Sequence, residues 1–304
     1  MSSLEESPRG IDSSIFDIDI KSAVFDKEKF RNYQDSKRQA GVEDHYLMMR
    51  KNQTVDFVNR MYKKYSFDNE PRARMTIRQC FKVLEGYVDS SDPDVSLPNM
   101  IHMLQTAEGI RDAGLPDWLQ LTGLIHDMGK IMFAIGGVKE DGQQGTGDGP
   151  QWALGGDTWV VGAKIPETCV FPEYNNLNPD MSNDEYNTEN GIYSPNCGFD
   201  NLKFAYGHDE YLYQMLKANK TNLPKPALAI IRYHSCYPWH TGGSYRHFMV
   251  DEDYESLKWV LLFNQFDLYT KSEEGLKGKS VEELWVYYQS LIDKYIPNES
   301  QLMW

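Results

Sequence analysis

The stretch LTGLIHDMGK at 121–130 runs an apolar segment into an adjacent His126-Asp127 pair, followed by Gly129 and Lys130. A charged or half-satisfied group in such surroundings costs several kcal/mol unless it is paired or binds a metal. Three more histidines sit in helical patterns: His102 in PNMIHMLQTAEGIR, His208 in YGHDEYLY and His234 in IIRYHSCY. Asp267 falls inside the apolar segment VLLFNQFDLYTK, where a lone buried carboxylate needs a partner. Each of these alone reads as an ordinary core or surface group. As a set, an adjacent His-Asp pair, flanking helical histidines and a later buried aspartate make an order that builds metal sites inside helical bundles. Imidazole and carboxylate suit Fe, Mn and Zn, and the lack of nearby thiolates argues against structural zinc or an iron–sulfur cluster. Six such ligands are too many for one ion that also binds substrate and too few for two saturated ions. Two ions bridged by Asp127, with positions left open, fit the count.

Helices must position this set. Apolar spacing near 3.6 residues predicts helices over 44–64 and 73–87, a helix over 99–113 after the turn cluster DSSDPDVSLPN, and another opened by Pro116 that carries His126. Further helical patterns cover 208–218, 224–237, 253–271 and 280–296, the last with Ser280 and Glu283 spaced as a capping box. Short β pieces are expected around Trp159–Val161. No internal repeat or heptad array is present, so the class is all-α. Two irregular stretches, 136–150 and 172–200, are unusual for a compact domain unless they line a site. The first is Gly-rich but lacks the GxxxxGK[ST] order of a phosphate cradle. Residues 1–24 read as a flexible or draped N-terminal arm and 25–304 as a single helical domain.

With 304 residues, 40% hydrophobic, the chain can bury one sizeable core. Its net charge of -14 and its lack of Lys/Arg clusters exclude a nucleic-acid binder. Cys80, Cys169, Cys197 and Cys236 form no CxxC pair, so reduced thiols in a cytoplasmic protein are expected. The start MSSLEESPRGIDSS has no signal-peptide character, and no segment approaches the ~20 apolar residues of a membrane span. A monomer is expected, because no large apolar docking face is evident.

The order H…HD…H…H…D in an all-helical chain resembles the HD-domain superfamily, most of whose members are metal-dependent phosphohydrolases. The segments FRNY at 30–33, DSSDPD at 89–94, QTAEGIR at 105–111, GLIHDMGKIM at 123–132, QWALGGDT at 151–158, YNTENGIYSPNCGFDN at 186–201, YGHDEYLY at 206–213, YHSCYPWH at 233–240 and FDLYTK at 266–271 together resemble the myo-inositol oxygenase family. The resemblance covers roughly 25–304 and implies an HD-domain-like helical bundle whose long irregular loops surround a di-metal site. It implies two iron ions, mixed-valent Fe(II)/Fe(III), with a bridging hydroxide. One iron would take His102, His126, Asp127 and Asp267, and the other Asp127, His208 and His234. The implied reaction is a four-electron oxidation in which myo-inositol and O2 give D-glucuronate by cleavage of the C1–C6 bond. Catalytic roles would fall to Lys130 and Asp127. Substrate contacts would fall to Arg31, Asp89, Lys130, Gly156, Asp157, His234, Ser235 and Lys271.

Lys130 and Lys271 each lie one turn beyond a ligand, His126 and Asp267, so a shared helical face is expected for each pair. His45, His240 and His247 are assigned to packing or surface, with His240 a candidate for supporting a ligand. The loop 136–150 is longer than the family's connection here and is expected to bulge outward without changing the ligands. The competing reading is an HD-type metal-dependent phosphohydrolase, which uses the same ligands to activate water.

Overall fold

The computed structural model describes residues 13–17, 31, 33, 38–94, 98–136, 141–144, 151–271 and 275–304. Among them the protein is all-helical, and its only β pairing is two isolated bridges, Arg74 with Met303 and Val160 with Phe204. The expected β pieces therefore reduce to one bridge. Most of the arm at 1–24 lies outside the described residues; its short 3-10 turn Ser13–Asp17 sets Phe16 edge-on to Trp259, with centroids 4.8 Å apart.

The single helix expected over 44–64 is two, α1 (Gln39–Asn52) and α2 (Val55–Lys64). Thr54 is extended between them, and its hydroxyl accepts the Phe57 amide, which caps a new helix. The segment at 73–87 contains a shorter helix, α3 (Ile77–Val83), opened by a capping box of Thr76 and Gln79 and followed by a 3-10 turn at Leu84–Gly86. Then come α4 (Asn99–Asp112), α5 (Asp117–Ile125), a 3-10 turn at Met128–Ile131 and the short α6 (Met132–Ile135). After a long irregular run the chain forms α7 (His208–Ala218), α8 (Lys225–Tyr233), α9 (Tyr237–His240), α10 (Asp251–Tyr269) and α11 (Val281–Tyr295). Ser280 and Glu283 cap α11 reciprocally.

α4 lies along α5, α8 packs against α5, α7 and α10, and α10 returns to α4. This ring closes around Leu104, Leu124, Ile125, Leu212, Ile230, Val260 and Phe263, all fully buried. Burying such a side chain stabilises by about 1.5–3 kcal/mol over leaving it exposed. α5 is buried from Trp118 to Ile125, in keeping with its largely apolar sequence.

The run 151–207 is irregular yet fixed. Arg50, fully buried on α1, donates to Asn175 Oδ1 at 2.8 Å and to the Val170 carbonyl at 2.7 Å, and its guanidinium lies 4.1 Å from the Trp159 ring centroid. Part of the Gly-rich loop lies outside the described residues. What is described of it turns inward: Asp141, Gly142 and Gln143 are buried, Lys64 pairs with Asp141 at 2.6 Å, and Tyr65 donates to Gln143.

Candidate metal centre

The helices deliver the expected residues to one place. α4 carries His102, His126 caps the end of α5 with Asp127 next, α7 opens on His208, His234 caps the end of α8, and α10 carries Asp267 in its last turn. Gly129 allows the close approach that brings two of these together. A Cβ there would lie 2.0 Å from the His208 carbonyl oxygen, so only glycine lets the turn bearing Asp127 and Lys130 abut the start of α7.

Asp127 divides its two oxygens between two sets of histidines. Oδ1 lies 3.0 Å from His208 Nε2 and 3.8 Å from His234 Nε2. Oδ2 lies 3.8 Å from His102 Nε2 and 3.6 Å from His126 Nε2. Asp267 Oδ1 joins the second set, at 2.9 Å from His102 Nε2 and 3.3 Å from His126 Nε2. Two groups can hold a metal ion, His102–His126–Asp127 and Asp127–His208–His234, with the ligand atoms of each group all within 4.8 Å of one another.

The ring orientations test whether metal fits. Nδ1 of His126 faces the Gly123 carbonyl at 2.9 Å, Nδ1 of His208 the Leu154 carbonyl at 2.6 Å, and Nδ1 of His234 the Ile231 carbonyl at 3.0 Å. A carbonyl only accepts, so in each neutral ring the proton sits on Nδ1 and Nε2 offers a lone pair. His208 Nε2 and His234 Nε2 then face each other at 3.0 Å, with the Asp127 carboxylate beside them. Lone pairs converging in this way fit a cation between them, and an imidazole–carboxylate donor set suits Fe, Mn or Zn. Burial alone would push the Asp127 and Asp267 carboxyls up, but Lys130 and His126 hold the first, and His102 and His126 the second, well below the usual range. Burial pushes the His102 imidazole down, favouring the neutral ring that a metal needs; at His126 burial acts the same way, but Asp127 and Asp267 outweigh it and raise the imidazole.

A cavity of about 80 Å³ opens against these groups. Of the expected contacts, Arg31, Asp89, Lys130, Gly156, His234, Ser235 and Lys271 line it, together with Asp127, His102, His208 and Asp267. His126 and Asp157 do not: both are buried behind the surface. Asp157 Oδ2 accepts the Val170 amide at 3.0 Å, and Oδ1 stands 3.9 Å from Arg31 Nη2. The Arg31 guanidinium carbon lies 3.3 Å from the Tyr237 ring centroid. Gly156 has φ 95°, where a Cβ would meet Met49 Sδ at 2.6 Å.

The two lysines do not share helical faces with their ligands. Each reaches the cavity from beyond a helix end, because α5 stops at Ile125 and α10 at Tyr269. Lys130 Nζ bridges Asp89 Oδ2 at 2.7 Å and Asp127 Oδ2 at 2.8 Å, and also donates to Asn99 Oδ1 at 3.2 Å. Burial would lower its ammonium, yet the two carboxylates hold it well above the ordinary lysine range. Asp89 is the mirror image: burial would raise its carboxyl, but Lys130 and His45 keep it ionised. Lys271 Nζ pairs with Asp92 at 2.8 Å and lies 3.8 Å from Asp94.

Asp92, Asp94 and Asn99 also line the cavity, residues that sequence reasoning misses because DSSDPD singles out only Asp89. Sequence reasoning also misses that His45 ties this wall together, from Ser90 Oγ at 2.8 Å to the Gly155 carbonyl at 3.1 Å. His240 supports a ligand as expected: its Nε2 donates to the His234 carbonyl at 2.9 Å, and burial pushes its imidazole down to about 3. His247 is partly exposed beside Glu189.

Fold and site together define a helical protein with two adjoining histidine–aspartate groups, each able to hold a metal ion, at the base of a small-molecule cavity. Residues 39–304 match the family described as Myo-inositol oxygenase. The chain is 46% identical over 277 residues to a probable inositol oxygenase of Oryza sativa subsp. japonica, covering 90% of this chain and 85% of the relative. It is 46% identical over 283 residues to the inositol oxygenase of Sus scrofa, covering 92% and 94%, and 45% identical over 283 residues to that of Mus musculus, covering 92% and 93%. The chain belongs to the myo-inositol oxygenase family, and with it to the oxidoreductases. No helix among the described residues is long and apolar enough to cross a membrane.

Proposed function

We propose that this chain binds two iron ions and uses O2 to open the ring of myo-inositol between C1 and C6, giving D-glucuronate. One oxygen atom of O2 enters the product and the other leaves as water, so four electrons pass from substrate to O2. The observation that carries the reading is the set of inward-facing Nε2 lone pairs around a carboxylate whose two oxygens serve different histidines. His102, His126, Asp127 and Asp267 would hold one ion, and Asp127, His208 and His234 the other. Bound there, the ions would supply Lewis acidity toward the polyol and a redox relay between it and O2.

The remaining roles belong to the chain. A ring bearing six hydroxyls asks for donors and acceptors in alternation, and the cavity offers Lys130, Lys271 and Arg31 beside Asp89, Asp92 and Ser235. Lys130, fixed between Asp89 and Asp127, places a permanent positive charge where the substrate loses a proton, which stabilises developing negative charge. Asp89, held ionised, accepts a hydroxyl hydrogen bond and orients the ring. Gly156, at a positive φ where a side chain would crowd Met49 and His45 behind it, presents backbone to the cavity. Lys130 and Lys271 are each already paired with carboxylates, so they are placed to hydrogen-bond the hydroxyls of an uncharged polyol. A single domain acting as a monomer in the cytoplasm completes the proposal, supported by the acidic composition and the four free cysteines.

The test is oxygen uptake by the iron-loaded, partly reduced protein on adding myo-inositol, with glucuronate assayed in the same vessel. Uptake matched one to one by glucuronate is expected. No uptake by protein carrying two irons would refute the oxygenase and turn attention to phosphate esters as substrates.

A further inference from the structure

We infer that Arg38 is a positioning residue: by holding the segment Asp89–Asp94 it sets where the Asp92 carboxylate and the Lys271 ammonium stand, and so governs substrate affinity without touching substrate or metal. The inference rests on the function proposed above.

Arg38 precedes α1 and does not line the cavity. Its Nη1 donates to the Asp92 carbonyl at 2.6 Å and its Nη2 to the Asp89 carbonyl at 2.8 Å. A planar fork on two carbonyls of one turn fixes the turn's shape in a way that a lysine point charge does not. The same segment turns its side chains toward the cavity. Asp89 meets Lys130 at 2.7 Å, Asp92 meets Lys271 at 2.8 Å, and Asp94 Oδ1 accepts the Arg31 amide at 2.8 Å.

This segment is neither helix nor strand, so no ladder of backbone bonds fixes it. Its first half is anchored from elsewhere: Ser90 bonds to His45, and the Ser90 amide donates to Gln151 Oε1 at 3.0 Å. Arg38 spans from that anchored half to the half that meets Lys271. Loss of the fork therefore leaves this half tied through Asp94 to the Arg31 amide but loosens Asp92 and Lys271 together, while Asp89, Lys130 and the metal groups keep their own supports. The consequence is weaker substrate binding with the chemical step preserved.

The experiment compares iron-loaded wild type, R38A and R38K for kcat and KM with myo-inositol, iron content, melting temperature and hydrogen exchange of the amides at 89–94. R38A is expected to raise KM about ten-fold, as loss of two charge-assisted hydrogen bonds implies, with kcat within about two-fold of wild type and iron unchanged. Exchange at 89–94 should quicken, and R38K should recover only part of the affinity. Combined with Lys271→Met, the KM effects should be less than additive, because both act through one contact. An unchanged KM in R38A would overturn the inference. So would a joint fall of kcat, iron content and melting temperature in both variants, which marks a merely structural residue. Wild type inert toward myo-inositol would instead sink the proposed function, and the exchange data would still decide whether Arg38 holds the segment.

Discussion

The two sides of the cavity are built by different forces. On the metal side every donor except Asp127 belongs to a helix or its terminal residue, and each of those helices is pinned by apolar neighbours such as Leu104, Ile125, Leu212, Ile231 and Phe263. Facing it is the wall made by 89–94, Gly156 and Ser235, on irregular chain held by ion pairs and by side chains reaching backbone, with Lys271 just past the end of α10. Core packing fixes a donor whether or not its partners are charged, whereas an ion-pair wall keeps its shape only while the charges and contacts persist. Damage to the metal side should therefore be all-or-none. On the wall it should be graded.

The largest effect should come from Asp127, which serves both histidine groups. Asp127→Ala should empty both metal positions and cut turnover about a thousand-fold or more, read by iron analysis and oxygen uptake. Retention of two irons would mean that the two groups are independent and that the carboxylate does not bridge them. A smaller, graded loss is expected at the junction of the two sides. Lys130→Met should leave iron bound and lower kcat about a hundred-fold, while removing the charge that keeps Asp89 ionised. If iron is lost along with activity, the wall and the centre are one structural unit and the contrast drawn between them fails.

The same contrast explains what the sequence revealed. His102, His126, His208, His234 and Asp267 are legible only as a set: each alone reads as an ordinary core or surface group, whereas an adjacent His-Asp pair with helical histidines and a later buried aspartate points to a metal site. The helix ends were harder. Thr54 reads as one more residue of a continuous pattern, yet its hydroxyl splits 44–64 into two helices. Lys130 and Lys271 were placed on helical faces, and both prove to lie just past helix ends, where spacing carries no directional meaning. Asp92 and Asp94 were invisible as cavity residues because their position depends on Lys271 and Arg31, remote in sequence. Nothing local in DSSDPD distinguishes a solvated turn from a wall braced across the fold.

The smallest effect concerns stability and tests the wall's rear. Burial dominates at Asp157 and pushes its carboxyl up to about 6, although Arg31 and the Val170 amide pull the other way. In the unfolded chain the group titrates near 4. Between these values the folded protein binds more protons than the unfolded one, so this group's contribution to stability falls as pH rises from about 4 to about 6 and stays low above that. Asp157→Asn removes the titration while keeping an oxygen for Val170. Relative to wild type, the variant should therefore gain about 1–3 kcal/mol between pH 4 and pH 7, measured as urea midpoints of both proteins at the two values. A difference that does not change with pH would show that Arg31, 3.9 Å away, already outweighs burial. The rear of the wall would then obey the same ion-pair rule as its face, and the boundary between charge-held and core-held structure would lie one layer deeper, at Arg50 and Trp159.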